Sequence, residues 1–498
     1  MAAAIDLVLI NPGTGKITYQ DLATDLTAIE PPMWAGIIAT YQRNHGFNVR
    51  IIDAEAEHLD AKSVAEQVKS YDPALVGMIV FGHQPSASTQ MMVGAGLECR
   101  AIKELEPERK IIIVGGHVAA LPERTLREEA VDFACNGEGP ITIEQLLNTL
   151  KAGSTDYAKV EGLVWRDGET IQNNIGARLI TDLDKDLPGG AWDLLPMEKY
   201  RAHNWQCFGD LSARKPYASI YTTLGCPYRC SFCCINAPFG KPNYRMRSPK
   251  VVVDEMEHLY KIYGVKTFKI VDEMFVLNDR HVGGICNLLI ERGLGQHFNI
   301  WAYARVDTVK PTHLEMQRKA GIRWLALGIE SGSKHVRDGA QKSLKSNDIV
   351  GIVREIQKAG INVIGNYIFG LPDDDEQSMR ETLELAKELN CEFANFYSAM
   401  AYPGSPLYKM AVEKGWDLPE SWGGYSQHSY DSKPLRTEKV PAASVIRFRD
   451  EAFHEYFANP RYLDMVAQRF GWETRKHVEQ MSKHRLKRKL VDEQPAAA

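Results

Sequence analysis

Short apolar runs recur through the first third of the chain, each closed by turn residues. Ile5–Ile10 is followed by Asn11-Pro12-Gly13, Phe47–Ile52 ends at Asp53, Ala74–Phe81 runs into Gly82, and Lys110–Val114 precedes Gly115-Gly116-His117. Runs of this length between glycine, proline and asparagine predict buried strands. The segments between them have helical spacing, as in Ala35–Asn44. Strand and helix in alternation predict a doubly wound parallel sheet over residues 1–150, with ligands beyond the carboxyl ends of its strands.

Residues 151–215 read as a connector. Leu163–Trp165 and Thr170–Gln172 predict a hairpin around Asp167-Gly168, and Leu187-Pro188-Gly189-Gly190 is a break. Trp192–Pro196 and Tyr200 are expected to wrap a domain edge without chemistry. From 216 to 405 a strand–helix unit repeats about six times. The strands are Ala218–Thr223, Thr267–Val271, Asn299–Ala304, Trp324–Ile329, Asn362–Phe369 and Phe393–Met400, with helices such as Pro249–Tyr263 and Asn347–Lys358 between them. Six units predict a partial barrel with its chemistry at the strand carboxyl ends. After Tyr402–Pro406 the period becomes helical. Residues 406–498 are expected to cap the barrel mouth and help select substrate. His428, Tyr430 and Arg436 could reach the cavity but read more readily as surface residues of that segment, Lys483–Lys489 as a solvated basic helix face, and Gln494–Ala498 as disordered.

Composition narrows the class. The 498 residues are 44% hydrophobic and 25% charged with a net charge of −5, which excludes a strong nucleic-acid field. No apolar run is long enough to span a bilayer. Met1–Asp6 has no basic leader region, and nine cysteines without a leader predict a reducing, cytoplasmic setting.

The cysteines also carry the chemistry. Thr223–Cys234 holds Cys226, Cys230 and Cys233 at C-x3-C-x2-C. That spacing predicts three thiolates on three corners of a [4Fe–4S] cube, leaving one iron open for a substrate or cosubstrate. Cys234 adjoins Cys233, and adjacent residues rarely reach one small cluster together. A zinc knot is the alternative. It wants a fourth Cys or His with paired spacing, and Cys207 and Cys286 are poorly placed for that.

This segment, with Phe232 before the last cysteine, resembles the signature of the radical S-adenosylmethionine (SAM) enzymes. The resemblance implies that SAM chelates the open iron and that one electron cleaves it to a 5′-deoxyadenosyl radical. It also implies SAM contacts at the strand ends. Asp272 and Glu273 would hold the amino group. Arg305, whose fork suits a carboxylate, and Glu330 would hold the carboxylate or ribose; an ion pair between the two is the bland alternative.

Four small-residue loops share the edge of the first predicted sheet: Asn11–Gly15, Gly82–Ser86, Gly115–His117 and Asn136–Gly139. Glycine lets backbone approach a ligand closely, and four such loops on one rim predict a large flat ligand. This domain, placed ahead of the cysteine motif, resembles the cobalamin-binding domain of cobalamin-dependent radical SAM enzymes. The fold implied is a Rossmann-like cobalamin-binding domain followed by a partial (β/α)6 TIM-type barrel and a mostly helical end. The implied corrin contacts are Asn11, Gly13, Gly82, His83, Ser86, Gly115, Gly116, His117, Gly137 and Glu138.

Many cobalamin domains carry D-x-H-x-x-G, whose histidine ligates cobalt. The match here, Asp279–Gly284, opens a helix after a barrel strand, where Asn278 or Asp279 reads as an N-cap. His83 and His117 stand on the proper rim, and cobalamin without a protein ligand on cobalt is the other possibility. The implied activity is methylation of an unactivated carbon of a small molecule by way of methylcobalamin, with an external flavodoxin- or ferredoxin-type donor. A radical cyclase or rearranging enzyme is the second reading, and a cluster- and corrinoid-carrying electron carrier the third.

Overall fold

The computed structural model describes residues 4–23, 26–342, 344 and 348–493. Met1–Ala3, Asn347 and Gln494–Ala498 lie outside the described residues. Two sheets organise the chain. The first contains β1 (Leu7–Asn11), β2 (Val49–Asp53), β3 (Leu75–Ile79), β4 (Ile111–Val114), β5 (Phe133–Cys135), β6 (Leu163–Asp167) and β7 (Thr170–Asn173). Its order is β2-β1-β3-β4-β5-β6-β7, with the first five strands parallel. β1, β3 and β4 are buried along their whole length, as central parallel strands covered on both faces must be.

The hairpin β6–β7 pairs antiparallel onto β5. It therefore extends the first sheet and is no part of a connector. Val164 sits in the first sheet's own apolar core, which is the burial that draws the hairpin in.

The second sheet is formed by β8 (Tyr217–Ile220), β11 (Thr267–Ile270), β12 (Asn299–Arg305), β13 (Ile322–Glu330), β14 (Asn362–Phe369) and β15 (Phe393–Ser398). Its order is β15-β14-β13-β12-β11-β8, all parallel, an open half-barrel. The first expected barrel strand is two pieces. β8 stops at Ile220, and β9 (Thr223–Leu224) turns away to pair antiparallel with β10 (Arg245–Met246). The segment between β9 and β10 carries the four neighbouring cysteines.

Caps set the helix limits. Ser248 opens Pro249–Tyr263 and left-handed Gly264 closes it. Asn278 accepts from His281 N at the start of Asp279–Glu291, so that D-x-H-x-x-G match is a helix start. The helix expected from Asn347 runs Ile349–Lys358.

Polar joints hold the parts together. Lys269 meets Glu30 at 2.9 Å, and Gln84 donates to the Tyr303 hydroxyl at 2.9 Å. Arg245 pairs with Glu138. The C-terminal helices, among them Ala442–Phe457, Pro460–Phe470 and Trp472–Met481, pack back onto the half-barrel. The basic run at 483–489 is irregular through Arg488 and is not a solvated helix face. Arg488 is buried, forking onto Asp450 at 2.8 and 2.9 Å and donating to Ser429 and Gln427 carbonyls. Among the described residues, no helix is long and apolar enough to cross a membrane.

Candidate active site

The cysteine loop begins at Gly225, whose φ of +87° and a would-be Cβ 2.5 Å from Asn243 Oδ1 leave room for glycine alone. Its backbone is tied to the barrel. Ser231 N donates to Ala340 O, and Leu407 N donates to Ser231 O. Phe232 packs against two small apolar clusters that include Leu371 and Leu407. Cys226, Cys230 and Cys234 are buried and Cys233 is half-buried; all are free thiols. Burial pushes the Cys226 thiol up to about 11 and Cys233 well above the usual thiol range, and the loop thiols feel one another's charge. Thiols so placed become thiolates when a cationic metal group offsets the burial. Among the described residues, no three His, Cys, Asp or Glu side chains are grouped tightly enough for a single ion. A cube places each thiolate on a separate iron, and the three-thiol donor set fits one.

Beside the loop lies a cavity of about 510 Å³. Phe232, Cys233 and Cys234 line it from the loop, and Glu273, Arg305 and Glu330 from the strand ends. His83, Ser86 and Ala87 line it from the first sheet's rim, and Gln427, His428 and Arg449 from the closing segment. Burial pushes the Glu273 carboxyl up to about 8, and neighbouring Asp272 adds to it. Arg305 is held by Asp307 at 3.0 Å and stacks on the Tyr228 ring at 4.1 Å. Glu330 follows a bulge in β13 and takes a φ of +65°, a conformation costing a non-glycine residue about 1–3 kcal/mol. Its carboxylate meets buried Lys342 at 2.8 Å. The bland alternative, an ion pair between Arg305 and Glu330, is thus not what forms: each has its own partner, Asp307 and Lys342, and both Arg305 and Glu330 stay on the cavity wall. Asp272 differs. Its two oxygens accept from Thr222 N and Oγ1, which ties the end of β8 to β11 and removes it from the wall.

On the rim, Gly82 has a φ of +68° and a would-be Cβ 2.7 Å from Ala87, a cradle that a side chain would fill. The ridge from Gly82 to Ala87 separates the main cavity from side pockets of about 30 and 90 Å³. Gly116 borders the smaller pocket and Asn11 the larger, although the Asn11 amide donates to Asp53 at 2.8 Å. Trp34 stacks on Phe81 at 4.1 Å beside them. An apolar shelf without side chains at Gly82 and Gly116 fits a flat macrocycle.

The other predicted rim residues stand off the walls. Gly13 is packed under the helix Ala87–Leu105, its N donating to Glu98 and its carbonyl 2.2 Å from where a Cβ on Gly94 would stand. Gly115 packs on Val80, and Gly137 faces open space. His117 is buried, bonded to Thr89 and edge-on to Trp422 at 4.4 Å. Glu138 is spent on Arg245 and Ile180 N. These five, with Asp272, leave the proposed contact set.

Tyr19, Gln427 and Arg449 line the cavity without a sequence signal. Of the three C-terminal residues read as surface, His428 is turned inward and stacked on Tyr19 at 5.7 Å, whereas Tyr430 and Arg436 are exposed. Gln427 explains the inward turn. It bonds both N and O of Ser398 at the end of β15, at 2.9 Å each.

The Radical SAM superfamily model matches residues 220–386, and the B12 binding domain model matches 19–147. An uncharacterised methyltransferase of Pyrococcus horikoshii is 27% identical over 434 residues, covering 87% of this chain and 89% of that one. The anaerobic magnesium-protoporphyrin IX monomethyl ester cyclase of Cereibacter sphaeroides is 26% identical, covering 81% of this chain and 63% of that one. In fold, the radical SAM methyltransferase TsrM of Kitasatospora setae, solved with cobalamin and a [4Fe–4S] cluster, is similar with a TM-score of 0.68 at 17% identity, covering 97% of this chain and 99% of that one. The two matched domains bring their cofactors with them: a [4Fe–4S] cluster, SAM and cobalamin. With a B12-binding sheet ahead of a radical SAM half-barrel, the chain belongs to the cobalamin-dependent radical SAM enzymes.

Proposed function

We propose that the enzyme methylates an unactivated carbon of a small molecule. The observation that carries this reading is the single cavity onto which both the sheet rim and the cysteine loop open. When bound, the cluster with SAM supplies a carbon-centred radical and cobalamin a transferable methyl group. The protein's own work is to hold and shield them. Cys226, Cys230 and Cys233 would bind the cluster, with Phe232 closing its side. Glu273, Arg305 and Glu330 would take the charged and hydroxyl groups of SAM. The Gly82–Ala87 ridge, with Gly116 and Asn11, would carry the corrin.

The tie between Gln427 and Ser398 seats the closing segment and excludes water, which otherwise quenches reactive intermediates. A volume of about 510 Å³, shared with the reacting part of SAM, suits a small substrate. The Pyrococcus and Kitasatospora relatives are named as methyltransferases, which favours methyl transfer. The Cereibacter relative supports the second reading, ring formation with the same cofactors. We infer a flavodoxin- or ferredoxin-type electron donor and a cytoplasmic setting, on nine free thiols.

The test is anaerobic reconstitution with cobalamin, reductant and SAM deuterated in its methyl group, followed by mass spectrometry of small molecules from the producing cell. A product carrying the labelled methyl supports the proposal. An unlabelled product of unchanged carbon count with one more ring overturns it in favour of cyclisation.

A further inference from the structure

At the strand ends the cavity carries two carboxylates, Glu273 and Glu330, with Arg305 and Lys342, and on the closing segment a second arginine, Arg449. Glu273 and Glu330 stand at the strand ends, on the cluster side. On the closing segment, Arg449 and Asp450 line the same cavity. Arg449 is 6% exposed and Arg488 2% exposed. Arg449 Nη1 meets Asp450 at 2.7 Å, and Arg488 forks onto the same carboxylate. Two buried guanidinium groups thus share one carboxylate. Arg449 Nε is spent on the Phe396 carbonyl at 2.8 Å and Nη1 on Asp450, and Nη2 has no hydrogen-bond partner among the described residues. His428, on the same wall, adds a buried Nδ1 without a partner among the described residues.

Burying an arginine costs free energy unless its charge and donors are matched. Among the described residues, Asp450 is the one carboxylate that the two guanidinium groups pair with, while Asp492 accepts from the Arg488 backbone N. Tyr397 lies between the two ends, feeling both Arg449 and Glu330. The arrangement is built for a molecule whose reacting carbon points at the cluster end and whose anionic group points at the closing segment.

We propose that Arg449 is the specificity-determining residue of this enzyme and that its substrate is an acid, whose carboxylate or phosphate is bound by the free side of the Arg449 guanidinium. The proposal rests on the reading above that this cavity holds the substrate. It assigns the closing segment the task of reading charge, in addition to covering the barrel. Arginine suits both oxyanions because its planar fork matches them.

The test measures binding without turnover, so its failure is separate from a failure of the methyl-label assay. Full-length, cofactor-loaded protein is examined anaerobically by ligand-observed saturation-transfer NMR with benzoate, phenyl phosphate and uncharged benzyl alcohol. One anion should bind, the stronger of the two identifying the group, and benzyl alcohol at least about tenfold more weakly. Arg449→Gln should weaken the anion by about tenfold to a hundredfold, the range for losing a charge-assisted hydrogen bond. Arg449→Lys, which keeps the charge and the pairing with Asp450 but loses the fork, should fall between. It carries the test if the glutamine variant does not load cobalamin. Equal binding of the uncharged probe, no binding by either anion, or undiminished anion affinity in the lysine variant would each overturn the proposal.

Discussion

Glu30 is the residue whose loss should show most clearly how the two sheets are joined. It precedes the helix Met33–Asn44 and reaches into the half-barrel, where Lys269 of β11 meets it at 2.9 and 3.1 Å and Ser219 of β8 donates to it at 3.0 Å. The lysine side chain is 1% exposed and the glutamate 4%. Burial pushes the Glu30 carboxyl up, but Lys269, with His83 and His203 behind it, outweighs this and holds it at about 2. A carboxyl depressed in the fold stabilises it above its ordinary value of about 4.3, and that contribution is lost as pH falls toward 2. Glu30 is therefore a carboxylate at neutral pH, and its charge opposes the burial that pulls the Lys269 ammonium below the usual lysine range.

Glu30→Gln leaves a buried ammonium uncompensated, and Lys269→Met leaves a buried carboxylate. Each should cost about 3–5 kcal/mol, while the double variant, with no charge to strand, should recover most of the loss. With a urea slope of about 3 kcal/mol/M, the single variants should unfold about 1 M or more earlier. Urea melts of the four proteins at pH 7 give the coupling directly. Single losses below about 1 kcal/mol, or a double variant as poor as the sum of the singles, would refute the idea that this pair joins the domains.

Three further expectations follow from the site and its supports. Alanine at Cys226, Cys230 or Cys233 should abolish cluster iron and 5′-deoxyadenosine formation, whereas Cys234→Ala should keep most of the iron; equal loss in an iron assay would end the three-ligand assignment. Gly82→Val puts a side chain into the space held by Ala87 and should abolish cobalamin loading while the fold survives, as read by visible absorption and circular dichroism; normal loading would move the corrin off this ridge. Burial pushes the Glu98 carboxyl up to about 8, so stability fully present below about 4.3 is lost as pH rises from there to about 8, by about 1.4 kcal/mol per unit; Glu98→Gln should flatten the pH slope of the urea midpoint in that window, and an unchanged slope would contradict this.

What the sequence made legible was local. Most strand positions, the helix Pro249–Tyr263 and the false D-x-H-x-x-G match at Asn278 rest on neighbours within a few residues, and those held to within about two residues, except the first barrel strand, which ends at Ile220. The hairpin at 163–173 was seen as a hairpin but not as part of the first sheet, since its partner β5 is chosen by burial and not by spacing. Asp272 and Glu138 look like ligands in a string of letters, yet each is consumed by a partner about 50 or more positions away, Thr222 and Arg245. The closing wall was the least legible part. Tyr19 and His428 stack across a separation of about 400 residues, and nothing in the period of either segment announces it.

The central claim is that cobalamin and the cluster face one cavity, close enough for a substrate to be handed between them. Electron paramagnetic resonance of the loaded enzyme, reduced so that both the cob(II)alamin and the cluster carry an unpaired electron, tests this directly. The account predicts magnetic interaction between the two spins, seen as broadening and faster relaxation of the cobalt signal. That interaction should vanish in Cys226→Ala, which retains cobalamin but lacks the cluster. A cobalt spectrum indistinguishable between the two proteins would place the cofactors apart and contradict the account.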